Sequence, residues 1–248
     1  MFGMNIPIKP SYDPAAPLRV VEVFRTIQGE GPFAGVPAIF IRLAGCNLRC
    51  FFCDTDFDSH LYESSPEALA LEARKIARES IKLAVITGGE PLAQNIVPLI
   101  QALAAAGFHS QIETAGTVWQ EGLSALLSGG EASLVCSPKT ATVHSKIEVW
   151  AKHYKYIIRA GELDPDDGLP NRSTQEKGRE TRLYRPPKER AGVTVWVQPC
   201  DEFSPPAPRG FRLHLHHRTE ENTQAAVGVA LRYGYRLSLQ QHKILRLP

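Results

Sequence analysis

Cys46, Cys50 and Cys53 fall within eight residues, CNLRCFFC, and the spacing C-x3-C-x2-C is the first feature of the sequence with chemistry in it. Thiolates on a short loop are common holders of iron–sulfur clusters. Three thiolates on a four-iron cubane leave one iron without a protein ligand. That open iron can be chelated by a small molecule carrying amino and carboxylate groups. A structural zinc site is the competing reading, but zinc takes four ligands, commonly in pairs about a dozen or more residues apart. Here the fourth would have to be His60 or a distant cysteine. Cys136 and Cys200 complete the five cysteines and read as small packing residues. An odd cysteine count, with no apolar run of signal-peptide length near the start, argues against a disulfide framework.

Other residues with chemical potential stand near this triplet or at the ends of apolar runs. Asp54, Thr55 and Asp56 follow it directly. The two carboxylates are the natural Mg²⁺ ligands by residue type, while a threonine hydroxyl more often satisfies a loop backbone group. Arg42 interrupts the apolar run AIFIRLA, and alternation sets it opposite Ile41 and Leu43. An arginine there is either a solvated edge residue or an inward-facing fork for a carboxylate. Gln28 and Glu30 lie in the glycine-containing loop RTIQGEGPFAGVP, where backbone can approach a ligand closely and side chains offer both donors and acceptors. Thr87-Gly88-Gly89-Glu90 closes another apolar run, in a pattern that a plain strand-to-helix turn also uses.

The elements that must position these residues alternate. LRVVEVF (18–24), AIFIRLA (38–44), KLAVITGG, FHSQIET, ASLVC, YKYIIRA and TVWVQP read as strands. Between them SPEALALEARKIARESI, 95–106, EGLSALLSG and SKIEVWAKH read as helices. Thr219 is expected to cap a helix over 219–234, and YRLSLQQHK (235–243) to form a last strand. His214-Leu215-His216-His217 alternates like a strand, and no function is assigned to it. Residues 161–192 read as a polar surface excursion of about thirty residues, a length that tends to be functional or mobile. About six βα units predict a partial, open (β/α)6-type parallel barrel, and a single domain over 1–248. In parallel folds chemistry gathers at the carboxyl ends of strands. Those ends carry Cys46, Thr87 to Glu90, Glu113-Thr114, Ser137-Pro138-Lys139 and Gln198-Pro199-Cys200-Asp201.

Composition bounds the partners. The 248 residues are 43% hydrophobic and 22% charged, with a net charge of +2. That balance builds a sizeable core and gives no bulk electrostatic case for binding nucleic acid or a membrane. No uncharged apolar stretch reaches spanning length, so the expected compartment is the cytosol.

Cys46-x3-Cys50-x-Phe52-Cys53 resembles the signature of the radical S-adenosylmethionine superfamily, and Thr87-Gly88-Gly89-Glu90-Pro91 resembles that superfamily's glycine-rich motif. Three further segments narrow the resemblance to the 7-carboxy-7-deazaguanine synthase family: Thr26 to Gly31, Phe40 to Leu48 and Cys53-Asp54-Thr55. It continues through Ser137-Pro138-Lys139, Tyr154-Lys155-Tyr156, Gln198 to Asp201 and Gln241 to Pro248, and is weakest over 161–192.

The resemblance implies a [4Fe–4S] cluster on Cys46, Cys50 and Cys53, cleavage of S-adenosylmethionine, and a radical ring contraction. The substrate would be 6-carboxy-5,6,7,8-tetrahydropterin and the product 7-carboxy-7-deazaguanine, with loss of ammonia, toward 7-deazapurines such as queuosine. It implies substrate contacts at Ile27, Gln28, Gly29, Glu30, Arg42, Thr87 and Pro248, the last through its carboxylate. Cofactor contacts are implied at Phe52, Cys53, Asp54, Gly89, Ser137, Pro138, Lys139, Gln198, Pro199, Cys200 and Asp201. Mg²⁺ is implied on Thr55, overriding the aspartates, and Glu113-Thr114 is placed near the ribose. A homodimer and a flavodoxin- or ferredoxin-like electron donor are further implications. Two other functions stay open at this point. A glycyl-radical activase would share the triplet and glycine motif, and a zinc-binding adaptor would share only the cysteines.

Overall fold

The computed structural model describes residues 5–58, 61–175, 180–203 and 214–248. His60 and the proline-rich stretch 204–211 lie outside the described residues.

Apolar alternation produces strands, and these pair into one sheet. Among the described residues its order is β3-β1-β2-β4-β5-β6-β7-β8-β9. The strands are β1 (Leu18–Ile27), β2 (Pro37–Leu43), β3 (Tyr62–Ser64), β4 (Leu83–Gly88), β5 (His109–Thr114), β6 (Ala132–Cys136), β7 (His153–Ile158), β8 (Thr194–Pro199) and β9 (Arg236–Leu237). From β2 through β9 every neighbouring pair is parallel. β1 and β3 are antiparallel additions at one edge, since the short loop from β1 to β2 permits only a hairpin return. The two edges are not paired to each other, so the barrel is open, as expected.

Helices cover the outer face: α1 (Pro66–Ala77), α2 (Val97–Ala105), α3 (Leu123–Gly129), α4 (Ser145–Trp150) and α5 (His216–Tyr233), with a short α6 (Gln241–Ile244) near the end. α1 starts where its sequence says it should. Ser65 accepts a hydrogen bond from the Ala68 amide at 3.2 Å, Pro66 needs no amide partner, and Glu67 faces the positive end of the helix.

Strand residues of one parity turn outward under the helices. Ile39, Ile41, Leu43, Ala84, Ile86, Ile112, Leu134, Cys136, Tyr154, Tyr156 and Ile158 all belong to the main core. Residues of the other parity face the hollow of the sheet. At one end of the hollow Phe33 and Phe40 pack on Ala38, Leu83 and Val85. The rest of that inner face is polar, and it builds the site.

Four expectations are corrected. Residues 235–243 are not one strand, because only Arg236–Leu237 pairs with β8 and α6 follows at Gln241. The Ser238 and Gln240 side chains turn inward to Gln198 and Glu30, which ends the pairing. Thr219 caps nothing, since α5 begins at His216. Its hydroxyl instead accepts the Glu202 amide at 3.1 Å. The histidine run is strand-like only at His214, which bridges to Phe203, while His216 and His217 form the first turn of α5. Among its described residues the excursion at 161–192 is irregular but not confined to the surface. It stands where a helix would cross from β7 to β8, and Leu169, Ser173, Thr174 and Leu183 within it are buried.

Candidate active site

The inner-facing row converges on a cavity of about 440 Å³. Phe40 and Arg42 from β2, Thr87 from β4, Glu113 from β5, Val135 from β6, Lys155 and Ile157 from β7 and Gln198 from β8 all line it. The period-two side-chain rule therefore delivers one residue set to one place.

Two loops close the cavity from opposite sides. On one side stands the cysteine loop, with Cys50, Phe52, Cys53, Asp54, Thr55 and Asp56 in the wall. Cys46 lies buried at its root. The root needs the glycine pair that follows β4. Gly88 has φ +128°, and a methyl group there would lie 2.0 Å from the Leu43 carbonyl oxygen. One on Gly89 would lie 2.0 Å from the Gly45 carbonyl oxygen and 3.0 Å from the Cys46 Cβ. Backbone hydrogen bonds from Gly89 to Leu43 (3.1 Å) and from Glu90 to Gly45 (2.9 Å) then clamp the loop to the strand ends. The Glu90 carboxylate, its pKa raised by burial, accepts the Thr114 hydroxyl at 2.8 Å and the Ala115 amide at 2.8 Å.

On the other side the β1–β2 loop folds into the hollow. Glu30 is buried against the Lys155 ammonium and accepts Gln198 Nε2 at 3.1 Å and Gln240 Nε2 at 2.9 Å. Burial works to raise the Glu30 pKa, but the Lys155 charge and these hydrogen bonds prevail and hold it below the ordinary range. Burial likewise opposes the Lys155 charge, and Glu30 and Glu113 more than offset it, raising the lysine pKa. Gln28 Nε2 donates to Glu113 Oε1 at 3.2 Å, and the Thr87 hydroxyl donates to Glu113 Oε2 at 3.1 Å. Glu113 thus joins two strands and a loop.

The cysteines suit an iron–sulfur cluster. Burial raises the Cys46 thiol pKa, and the charges of Cys50 and Cys53 add to that rise, so the three sulfurs sense one another. Yet among the described residues no three His, Cys, Asp or Glu side chains converge as a single ion requires. Lys139, half-buried beside the three thiols, has its pKa lowered by burial while the charge of Cys50 acts to raise it. It is not a solvated surface lysine.

A family model described as the Radical SAM superfamily matches residues 40–167, about half the chain. A 7-carboxy-7-deazaguanine synthase from Rhodospirillum rubrum is 46% identical over 248 residues, covering 100% of both chains. The chain belongs to the 7-carboxy-7-deazaguanine synthase family. A second relative of that name, from Rickettsia prowazekii, is 34% identical over 99% of this chain and 95% of its own. The fold is shared with the crystal structure of QueE from Escherichia coli, at a TM-score of 0.59 and 23% identity over 90% of this chain and 93% of that one. Membership of the radical S-adenosylmethionine superfamily implies a [4Fe–4S] cluster and S-adenosylmethionine.

Within this family member, most residues singled out from the sequence share the one cavity. Gln28, Glu30, Arg42, Cys50, Phe52, Cys53, Asp54, Thr55, Thr87, Gly89, Ser137, Lys139, Gln198, Pro199, Cys200 and Asp201 line it. Pro138 lies in a small adjoining recess with Phe51 and Thr174. Ile27, Gly29 and Pro248 are not in the cavity wall. Gly29 instead supports it, since a methyl group there would lie 2.3 Å from His242 Nδ1. The Pro248 backbone oxygen accepts the Thr26 hydroxyl at 3.0 Å, so the end of the chain is docked beside β1. Arg42 faces inward, but its Nε already donates to Glu22 Oε1 at 2.7 Å. Gln198 and Asp201 are likewise engaged, with Glu30 and with Lys243 respectively. Glu113 accepts hydrogen bonds from Gln28 and from the Thr87 hydroxyl.

Among the wall residues without an assigned role are Lys155, Gln240, His242 and Lys243. The signal for Lys155 was a lone cation at an inward position of YKYII. The other three were hidden by reading 235–243 as a strand. Lys243 spans Asp54 at 3.0 Å and Asp201 at 2.6 Å and pins the cysteine loop to β8. Loss of solvation in the cleft acts to raise the Asp54 pKa, and Lys243 lowers it below the ordinary range.

Proposed function

We propose that the protein converts 6-carboxy-5,6,7,8-tetrahydropterin to 7-carboxy-7-deazaguanine, releasing ammonia, in the cavity between the cysteine loop and the β1–β2 loop. The observation that carries this reading is the division of that cavity. Thiols line one wall, and a neutral-to-acidic hydrogen-bonding set of Gln28, Glu30, Thr87 and Glu113 lines the other.

Cys46, Cys50 and Cys53 would hold the [4Fe–4S] cluster. Its chemistry, when S-adenosylmethionine is bound, is one-electron cleavage that supplies a 5′-deoxyadenosyl radical. The protein's own groups do the rest. Glu30 and Glu113 accept N–H bonds from the pterin edge, and Gln28 both donates and accepts. Arg42 and Lys155 set positive charge toward the substrate carboxylate. Ser137, Lys139, Phe52, Asp54, Gly89 and Pro199 to Asp201 form the wall against which the cofactor lies, with Pro138 in the recess beside it. Thr55 is the Mg²⁺ ligand in this reading, with substrate oxygen completing the site. In the structure its hydroxyl meets Asp54 Oδ1 at 3.3 Å, so oxygen donors already face one another there.

The enzyme acts in the cytosol as a homodimer, taking electrons from a flavodoxin- or ferredoxin-like donor. Among the described residues no helix is long and apolar enough to cross a membrane. The test separates substrate binding from radical generation. Gln28→Ala and Glu113→Ala should each raise the KM for the pterin about tenfold or more, the worth of a hydrogen bond to a charged group. Pterin-independent cleavage of S-adenosylmethionine should persist in both. Wild-type protein that cleaves S-adenosylmethionine but ignores the pterin would instead be a glycyl-radical activase.

A further inference from the structure

The described residues of 161–192 stand in place of a helix between β7 and β8, and one short stretch of them reaches the cysteine loop. Ser173 and Thr174 are 3% and 4% exposed. Thr174 Oγ1 lies 3.0 Å from Cys50 Sγ, and Gln175 Nε2 donates toward the same sulfur at 3.4 Å. Backbone contacts fix this approach. The Arg49 amide donates to Gln175 Oε1 at 2.9 Å and the Phe51 amide to the Thr174 carbonyl at 3.4 Å. Thr174 is held from behind by its own amide, which donates to the Lys139 carbonyl at 3.2 Å.

Counting protons gives these contacts a direction. Gln175 Nε2 carries two hydrogens, one for Thr174 Oγ1 at 2.7 Å and one for Cys50 Sγ. The single Thr174 hydroxyl hydrogen can go to the Lys139 carbonyl at 3.2 Å or to Cys50 Sγ. That carbonyl already accepts the Ser173 hydroxyl at 3.0 Å as well as the Thr174 amide. A metal-bound thiolate is the stronger acceptor, so the hydroxyl turns to the sulfur when the cluster is in place.

We propose that Thr174 and Gln175 are positioning residues that donate two hydrogen bonds to the Cys50 sulfur and raise the reduction potential of the cluster. Hydrogen bonds to ligand sulfur draw charge from the cluster and stabilise its reduced form. This rests on the assignment of the cluster to Cys46, Cys50 and Cys53. The test is a potentiometric titration of anaerobically reconstituted protein, followed by electron paramagnetic resonance, on wild type, Thr174→Val, Gln175→Leu and Thr174→Ser. Both apolar variants should shift to lower potential. At the wild-type midpoint their reduced-to-oxidised ratio should fall at least about threefold, half a decade on the one-electron scale. Thr174→Ser should keep the wild-type value. Unshifted potentials at wild-type iron content would overturn the proposal. Should Thr174→Val fail to take up iron, Gln175→Leu decides alone, because it leaves the Thr174 contacts to Lys139 intact. A wild-type protein that holds no cluster would overturn the cluster assignment instead.

Discussion

Lys155 and Glu30 are the residues whose removal should be felt most. Their side chains are 8% and 11% exposed, and each is the other's main compensation for lost water. Lys155→Met leaves a buried carboxylate unpaired, and should cost about 3–5 kcal/mol by denaturant unfolding. Removing both charges, as Glu30→Gln with Lys155→Met, should cost clearly less. The pair also fixes a pH window. Glu30 sits below its ordinary value of 4.5, so its contribution is full above that pH and is lost as the pH falls through the depressed native value. Lys155 sits above its ordinary value of 10.5, so its contribution is full below that pH. The stability gap between wild type and the double variant should therefore be flat from about pH 5 to 9 and close in acid. A gap that widens in acid would contradict the assignment.

At the scale of elements, the cysteine loop depends on the turn after β4. Gly88→Ala places a side chain at φ +128° and 2.0 Å from a carbonyl oxygen, so the backbone must move. The strain should cost about 1–3 kcal/mol. Iron uptake on reconstitution should fall along with stability, because Gly45 and Cys46 hang on the same hydrogen bonds. Wild-type iron content in this variant would show that the loop root is not set by the turn. Much of this architecture was legible in the sequence. Apolar, β-branched-rich runs in AIFIRLA, KLAVITGG and YKYII marked the parallel strands, and their ends carried the special residues. The antiparallel edge was less legible, because β3 is three residues long and Tyr62-Glu63-Ser64 has no apolar pattern. The segment after β9 misled for the opposite reason. YRLSLQQHK alternates well enough for a strand, but its polar residues are drawn inward by Gln198 and Glu30, a tertiary demand that no local pattern shows. The role of 161–192 was invisible for the same reason, since Thr174 meets Cys50 across 124 positions of chain.

On the scale of the whole molecule, an open sheet, a loop folded into its hollow and the Lys243 tie enclose one cavity with two chemically distinct walls. Lys243→Ala removes the bridge between Asp54 and Asp201 and should loosen the cofactor wall without touching the substrate wall. The KM for S-adenosylmethionine should rise several-fold while the KM for the pterin changes little. Equal rises in both would mean that the tie holds the whole cavity rather than one side of it. The measurement that bears most directly on the central claim is product formation. Protein reconstituted anaerobically with iron and sulfide is given a reductant, S-adenosylmethionine, Mg²⁺ and 6-carboxytetrahydropterin, and products are read by mass spectrometry. Wild type should form 7-carboxy-7-deazaguanine and Cys50→Ala none. Deoxyadenosine without the deazapurine, or equal product from both proteins, would contradict it.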